Sequence, residues 1–213
     1  MPAPAIKICG ISSPETLAAV IAARADYAGF NFYPPSPRFV SLDRAQALGA
    51  QAAGQLTRVG LFVDAADDAI SQAVATGALD VLQLHGAESP ARAAELRSRC
   101  GLPVWKVIAV AARADLARAA DYVGAADFVL LDARTPSGSL PGGMGLKFDW
   151  SLLSGWTAPL PWGLAGGLNA ANVAEAVAVT GAPLVDAASG IESAPGVKDP
   201  ALIAAFCAAV RAV

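Results

Sequence analysis

LPWGLAGGLNAANVAEAVAVTGAPLVDAASGIE, residues Leu160–Glu192, holds one complete structural unit and the start of another. LPWGLA from Leu160 and PLVDAA from Pro183 are short, nearly continuous apolar runs, as expected of strands buried on both faces. Between them Asn169–Gly181 is alanine-rich, has helical spacing and closes on glycine, the expected C-terminal cap. Each strand gives way at once to small residues, in LAGGLN and AASGIE. Two parallel strands joined by a covering helix satisfy this order.

The same grammar runs outward to both ends. Earlier strands are IKICG from Ile6, YAGFNF from Tyr27, RVGLFV from Arg58, DVLQLH from Asp80, VWKVIAV from Val104 and DFVLLD from Asp127. The other helical segments are Pro14–Arg24, Leu42–Gly54, Asp67–Gly77, Ser89–Gly101, Arg113–Gly124 and Asp199–Ala212. Eight such units close most economically into a single-domain α/β protein, a (β/α)8 or TIM barrel spanning residues 1–213, with a doubly wound open sheet as the alternative. Five of the seven gaps between strand starts are about 21 to 24 residues. The gaps after the second and sixth strands are about ten residues longer, in YPPSPRFVS and ARTPSGSLPGGMGLKFDW. In a barrel these loops lie on the C-terminal face, where active sites form.

Composition narrows the functional classes. The 213 residues are 55% hydrophobic and 15% charged, which excludes a disordered chain. Mean hydropathy is +0.48, but the longest weakly charged stretch, Trp150–Ala174, carries Pro159, Pro161 and four glycines and cannot span a bilayer as a helix. The start, MPAPAIKICGI, lacks the basic and apolar regions of a secretion signal, so a cytoplasmic location is expected. A net charge of -3, scattered without a basic run, argues against nucleic acid as a partner. Three widely spaced cysteines and one histidine argue against a disulfide framework and a metal site.

Polar residues stand at or near the ends of apolar strands, where a side chain is held rigidly at the barrel mouth: Cys9, His85 and Asp132 end theirs, and Asp186 lies within the eighth. Cys9 reads as a catalytic thiol or as a small buried hydrophobe; Asp132 reads as a catalytic carboxylate or a loop cap. Cys100 and Cys207 fall in helical patterns and read as packing residues. Lys7 shares a strand face with Cys9, so a buried ammonium needs a partner, for which Asp132 and Asp186 are available. That cation would favour the thiolate of Cys9. Gly166 and Gly167 after the seventh strand, with Ser189 and Gly190 before a short helical turn after the eighth, offer backbone amides to a phosphate. Arg38, in a proline-stiffened loop, suits a ligand carboxylate or pairs with a loop acid.

Taken in order, KICGI, GFNFYPPSPRFV, VGLFVD, LQLHG, LLDAR, GGMGLKFDW, LAGGLNAANV and VDAASGIESAPGVKD resemble phosphoribosylanthranilate isomerases over nearly the full chain. The resemblance implies a (β/α)8 barrel that converts N-(5-phosphoribosyl)anthranilate to 1-(2-carboxyphenylamino)-1-deoxyribulose 5-phosphate. It implies no cofactor and no metal, a small phosphosugar as ligand, and a monomer or homodimer. It assigns Cys9 as general base, Asp132 as general acid, Arg38 as the anthranilate carboxylate ligand and the two glycine loops as the phosphate site. Lys7, His85 and Asp186 are expected beside the substrate. The rival indole-glycerol-phosphate synthases would need a catalytic lysine and glutamate at strand ends, and ribulose-phosphate epimerases metal-binding histidines. A non-catalytic phosphosugar-binding barrel would not need both Cys9 and Asp132. Three positions depart from the family pattern: Met144 and Ala188, where hydroxyl residues are common, and Asn31, where an apolar residue is common.

Overall fold

The computed structural model describes residues 3–135, 143 and 145–213; Met144 and most of the loop it belongs to lie outside the described residues. Eight parallel strands form a closed barrel in sequence order. They are β1 (Ala5–Cys9), β2 (Tyr27–Asn31), β3 (Thr57–Phe62), β4 (Val81–Leu84), β5 (Val104–Val110), β6 (Phe128–Ala133), β7 (Trp162–Leu164) and β8 (Leu184–Ala187). β8 closes on β1 with Lys7 opposite Asp186, which excludes the open sheet. Helices α1 (Pro14–Ala22), α2 (Leu42–Ala52), α3 (Asp67–Ala75), α4 (Pro90–Cys100), α5 (Val173–Thr180) and α6 (Pro200–Arg211) cover the outside.

Local chemistry sets these boundaries. Proline opens α1, α4 and α6, where its missing N–H costs nothing, directly after a capping Ser13, Ser89 or Asp199 whose side chain accepts a first-turn amide. Gly101 and Gly181 end α4 and α5 in the left-handed conformation. At the opposite end of the barrel an aspartate just before each of β2, β4 and β6 accepts the main-chain N–H near the start of the preceding strand. Asp26 binds Ile6 N at 2.7 Å, Asp80 binds Arg58 N at 2.8 Å, and Asp127 binds Val104 N at 2.8 Å. Successive strands are thereby tied in pairs, β1 to β2, β3 to β4 and β5 to β6.

Strand alternation divides the buried residues in two. Outward residues such as Ile6, Ile8, Phe30, Leu82, Ile108 and Val185 join the helices in the main core. Inward, the lower barrel is filled by Val59, Val81, Trp105, Val107, Leu130 and Leu184, with Tyr27 and Phe128 packed on the Trp105 ring. Above this apolar plug the inward positions become polar: Lys7 and Cys9 on β1, Asn31 on β2, Gln83 on β4, Asp132 on β6 and Asp186 on β8, all buried. A change from apolar to polar within one barrel interior locates the cleft.

Two expected helices differ, and one unit has a turn in place of a helix. Arg113–Tyr122 winds as a 3-10 helix. Asp115 accepts the Ala111 and Ala112 N–H at its start, and the Tyr122 hydroxyl donates to Glu88 O at its end. After β6 a single 3-10 turn, Trp150–Leu153, stands where a full helix would complete the pattern, hemmed in by Gly155 and Pro159. The helix expected from Asn169 begins only at Val173, since Asn169 and Asn172 spend their side chains on turn amides. The weakly charged stretch 150–174 is thus divided among a turn, β7 and the start of α5, and among the described residues no helix is long and apolar enough to cross a membrane.

Candidate active site

A cleft of about 780 Å³, counted with its open mouth, lies at the C-terminal ends of the strands. Its floor is set by β1. The backbone of Gly29 on β2 passes so near Cys9 that a Cβ there would lie 2.9 Å from Sγ, so the thiol occupies space that only glycine leaves. Lys7 sits one layer below, wholly buried, and donates to Asp186 at 2.9 Å. Of the two partners offered by the sequence, Lys7 therefore takes Asp186. It does not line the cleft and stands as a charge beneath Cys9.

The electrostatics of this trio follow from burial. Burial pushes the Cys9 thiol up and outweighs the pull of Lys7 and the smaller pull of Lys198, so Cys9 titrates above the ordinary thiol range. Lys7 favours the thiolate, as expected of a nearby cation, but its pull is smaller than the opposing effect of burial. Burial also pushes Asp186 up against the pull of Lys7. Burial alone would lower Lys7, but Asp186 and Cys9 together hold it above its usual value.

On the far wall, Asp132 lies at the end of β6. Its Oδ1 accepts the Ala133 N–H at 2.8 Å and its Oδ2 lies 3.3 Å from His85 Nε2. His85 thus reaches the cleft as a partner of Asp132. The loop that carries it is pinned by Glu88, whose carboxylate accepts from Gly86 N at 2.9 Å, Asp64 N at 2.8 Å and Lys106 Nζ at 2.9 Å. Lys106 alternates with the inward Trp105 and Val107 and so lies outside the barrel wall. This buried pair has the lysine and glutamate that the rival synthase chemistry would need, but neither member lines the cleft.

Arg38 reaches the rim from the β2 loop. Asn31 shapes that loop: its Oδ1 accepts from Tyr33 N at 2.8 Å and its Nδ2 donates to Ser36 Oγ at 3.2 Å, which accounts for this departure from the family pattern. Arg38 Nε and Nη2 each donate to Glu192 at 2.7 Å, and Nη2 also reaches Gly143 O at 3.0 Å. Arg38 therefore pairs with a loop acid, one of its two readings, and also lines the cleft. Glu192 and Lys198 lie on a small hairpin, β9 (Glu192–Ala194) and β10 (Val197–Lys198), that follows β8. Lys198 donates to Glu192 and to Ala188 O, both at 2.7 Å. Burial would raise the Glu192 carboxyl, but Arg38 and Lys198 overcome it and hold it below the usual range.

The two glycine loops face the cleft beside these groups. Gly166, Gly167, Ala188 and Ser189 line it, and the 3-10 turn begins at Ser189 itself. Gly190 is set behind them: a Cβ there would lie 2.1 Å from Leu168 O, so the residue is the joint at which the two loops pack. Cys9, Arg38, His85, Asp132, Asp186 and the loop residues are brought together; Lys7 and Gly190 support them from behind. Sequence reading missed Gln83, Glu88, Glu192 and Lys198.

Known proteins are similar to this chain over nearly its full length. Residues 6–209 match the family model "N-(5'phosphoribosyl)anthranilate (PRA) isomerase". An N-(5'-phosphoribosyl)anthranilate isomerase of Rhodopseudomonas palustris (strain BisB18) is 52% identical over 208 residues, 97% of this chain and 95% of the relative. A phosphoribosyl anthranilate isomerase from Thermotoga maritima superposes with a TM-score of 0.88 at 32% identity, covering 99% of this chain and all of that one. A second solved isomerase, in complex with reduced 1-(o-carboxyphenylamino)-1-deoxyribulose 5-phosphate, superposes with a TM-score of 0.86 at 31% identity and the same coverage.

Proposed function

Because the chain belongs to the phosphoribosylanthranilate isomerase family, and so converts N-(5-phosphoribosyl)anthranilate to 1-(2-carboxyphenylamino)-1-deoxyribulose 5-phosphate in tryptophan biosynthesis, we propose that Cys9 and Asp132 carry its proton transfers. In this reading Asp132 gives its proton to the furanose ring oxygen as the C1–O bond breaks. The nitrogen lone pair forms the C1=N bond of a cationic Schiff base. Cys9 then takes the proton from C2, and the C2–H electrons form the C1=C2 bond of an enolamine while nitrogen recovers its lone pair. The enol O–H proton is lost, C1 is protonated, and the ketone results.

The observation that carries this reading is the placement of an acid and a thiol on strands three apart, β6 and β1, facing one cleft, which leaves a sugar room between them. Arg38 meets the anthranilate carboxylate through Nη1, since Nε and Nη2 are engaged with Glu192. The amides around Gly166, Gly167 and Ser189 hold the phosphate without a lysine or arginine. The analogue bound to the solved relative, reduced 1-(o-carboxyphenylamino)-1-deoxyribulose 5-phosphate, carries a carboxylate and a phosphate, the two groups that these ends would take. The whole chain acts as one barrel domain in the cytoplasm.

A burial-raised thiol makes the free enzyme mostly protonated at Cys9, and the Schiff-base cation formed beside it supplies the charge that favours the thiolate. The pH profile tests this. A raised pKa places the active thiolate at high pH, so kcat/KM, which reports the free enzyme, is expected to climb with pH beyond about 8.5. kcat, which reports the complex, is expected to level off at lower pH. A kcat/KM that is flat from pH 6 to 10 contradicts the assignment of Cys9.

A further inference from the structure

Among the described residues, Gln83 is an inward polar side chain of the barrel that the mechanism leaves unused. It follows Val81 by two residues on β4 and so projects into the interior, between Leu61 of β3 and Trp105 of β5 in register. It is wholly buried, yet it lines the floor of the cleft. Neither its Nε2 nor its Oε1 has a hydrogen-bond partner among the described residues. His85 Nδ1 and Asp186 Oδ1 are also buried and unpartnered, so the unpaired polarity of the barrel interior is gathered on this one cleft.

An unpaired buried amide is costly, and its neighbours on the same face, Val81 and Leu61, are apolar. A methionine or leucine would fill the position without that cost. The amide is therefore explained by a partner that is present only when ligand is bound. A carboxamide presents a donor and an acceptor side by side, and two adjacent hydroxyls present the complementary pair. We propose that Gln83 is a specificity-determining residue that reads the C2 and C3 hydroxyls of the ribosyl group, with Nε2 donating to O2 and Oε1 accepting from the C3 hydroxyl. This rests on the reading above, which sets the sugar between Cys9 and Asp132. O2 is the oxygen that becomes the ketone when C2 loses its proton, so the Nε2 contact also steadies the product-side electron density.

The test uses Gln83→Met, close in volume and without a strong hydrogen-bonding group, with Gln83→Leu as a second variant. Both are assayed with the natural substrate and with the adduct of anthranilate and 3-deoxyribose 5-phosphate. The parent protein is expected to prefer the ribosyl over the 3-deoxyribosyl substrate by on the order of 10³-fold in kcat/KM, because the deoxy compound leaves a buried group unpaired. In the variants that preference is expected to fall to a few-fold, with a melting temperature equal to or above that of the parent. Undiminished preference in either variant overturns the proposal, and so does failure of both variants to fold, which would make the amide a structural one. Full activity of Cys9→Ser would instead overturn the mechanistic reading while leaving the hydroxyl preference of Gln83 to be measured independently.

Discussion

Replacing Asp132 with asparagine is expected to cut kcat by about 10²–10⁴-fold while leaving the protein folded and able to bind the reduced product analogue. Asparagine keeps the shape and the oxygen that accepts the Ala133 N–H, so the strand end stays in place. What it cannot do is deliver a proton to the ring oxygen and recover it later. The loss should therefore fall on kcat, with little change in analogue affinity or melting temperature. Near-parental kcat would remove Asp132 from the mechanism, and an unfolded variant would assign it to the scaffold.

Glu192→Leu is expected to damage both fold and binding. The Glu192 side chain is 3% exposed, and its partners Lys198 and Arg38 are 1% and 9% exposed. Removing one carboxylate leaves two buried cations uncompensated, a loss of about 3–5 kcal/mol. The same change frees Arg38 from its position and loosens Lys198 from Ala188 O in the phosphate loop, so KM should rise more than kcat falls in whatever protein folds. Burial already holds Lys198 below its usual value. Between that lowered folded value and the ordinary lysine value the unfolded chain binds more protons, so stability rises with pH there, and more steeply once Glu192 is gone. The deficit of the variant, measured by denaturant unfolding, should narrow as pH approaches about 10, near the ordinary lysine value. A variant as stable as the parent at pH 7 contradicts this account of the hairpin.

The barrel was legible because its signals are local. Each strand is an apolar run, alanine-rich segments of helical spacing that close on glycine mark the helices, and both faces of the strands are buried, so short periods suffice. Asp132, Cys9 and the glycine loops of the cleft were legible for the same reason: each is a polar or flexible exception at the end of an apolar run. Gln83 carries that signal too, in LQLHG, but it lies inside the run, flanked by two leucines, and reads as filler. Glu88 and Glu192 carry none. Each is a single acid in a loop or short hairpin, and its meaning comes from partners brought by the fold, Lys106 across 18 positions and Arg38 across 154. For Cys9 the pull of Lys7 was legible, because its charge is visible in KICG, whereas the burial that outweighs it exists only in the closed barrel.

The most direct test of the central claim is the fluorescence of freshly made N-(5-phosphoribosyl)anthranilate on addition of purified protein, with Cys9→Ser run beside it. Rapid loss of the signal is expected with the parent protein and a loss slowed by about 10²–10⁴-fold with the serine variant, since a serine hydroxyl holds its proton far more tightly than a thiol. Loss by Cys9→Ser at the parental rate, or none with either protein, would contradict the assignment of Cys9 as the base of this isomerisation.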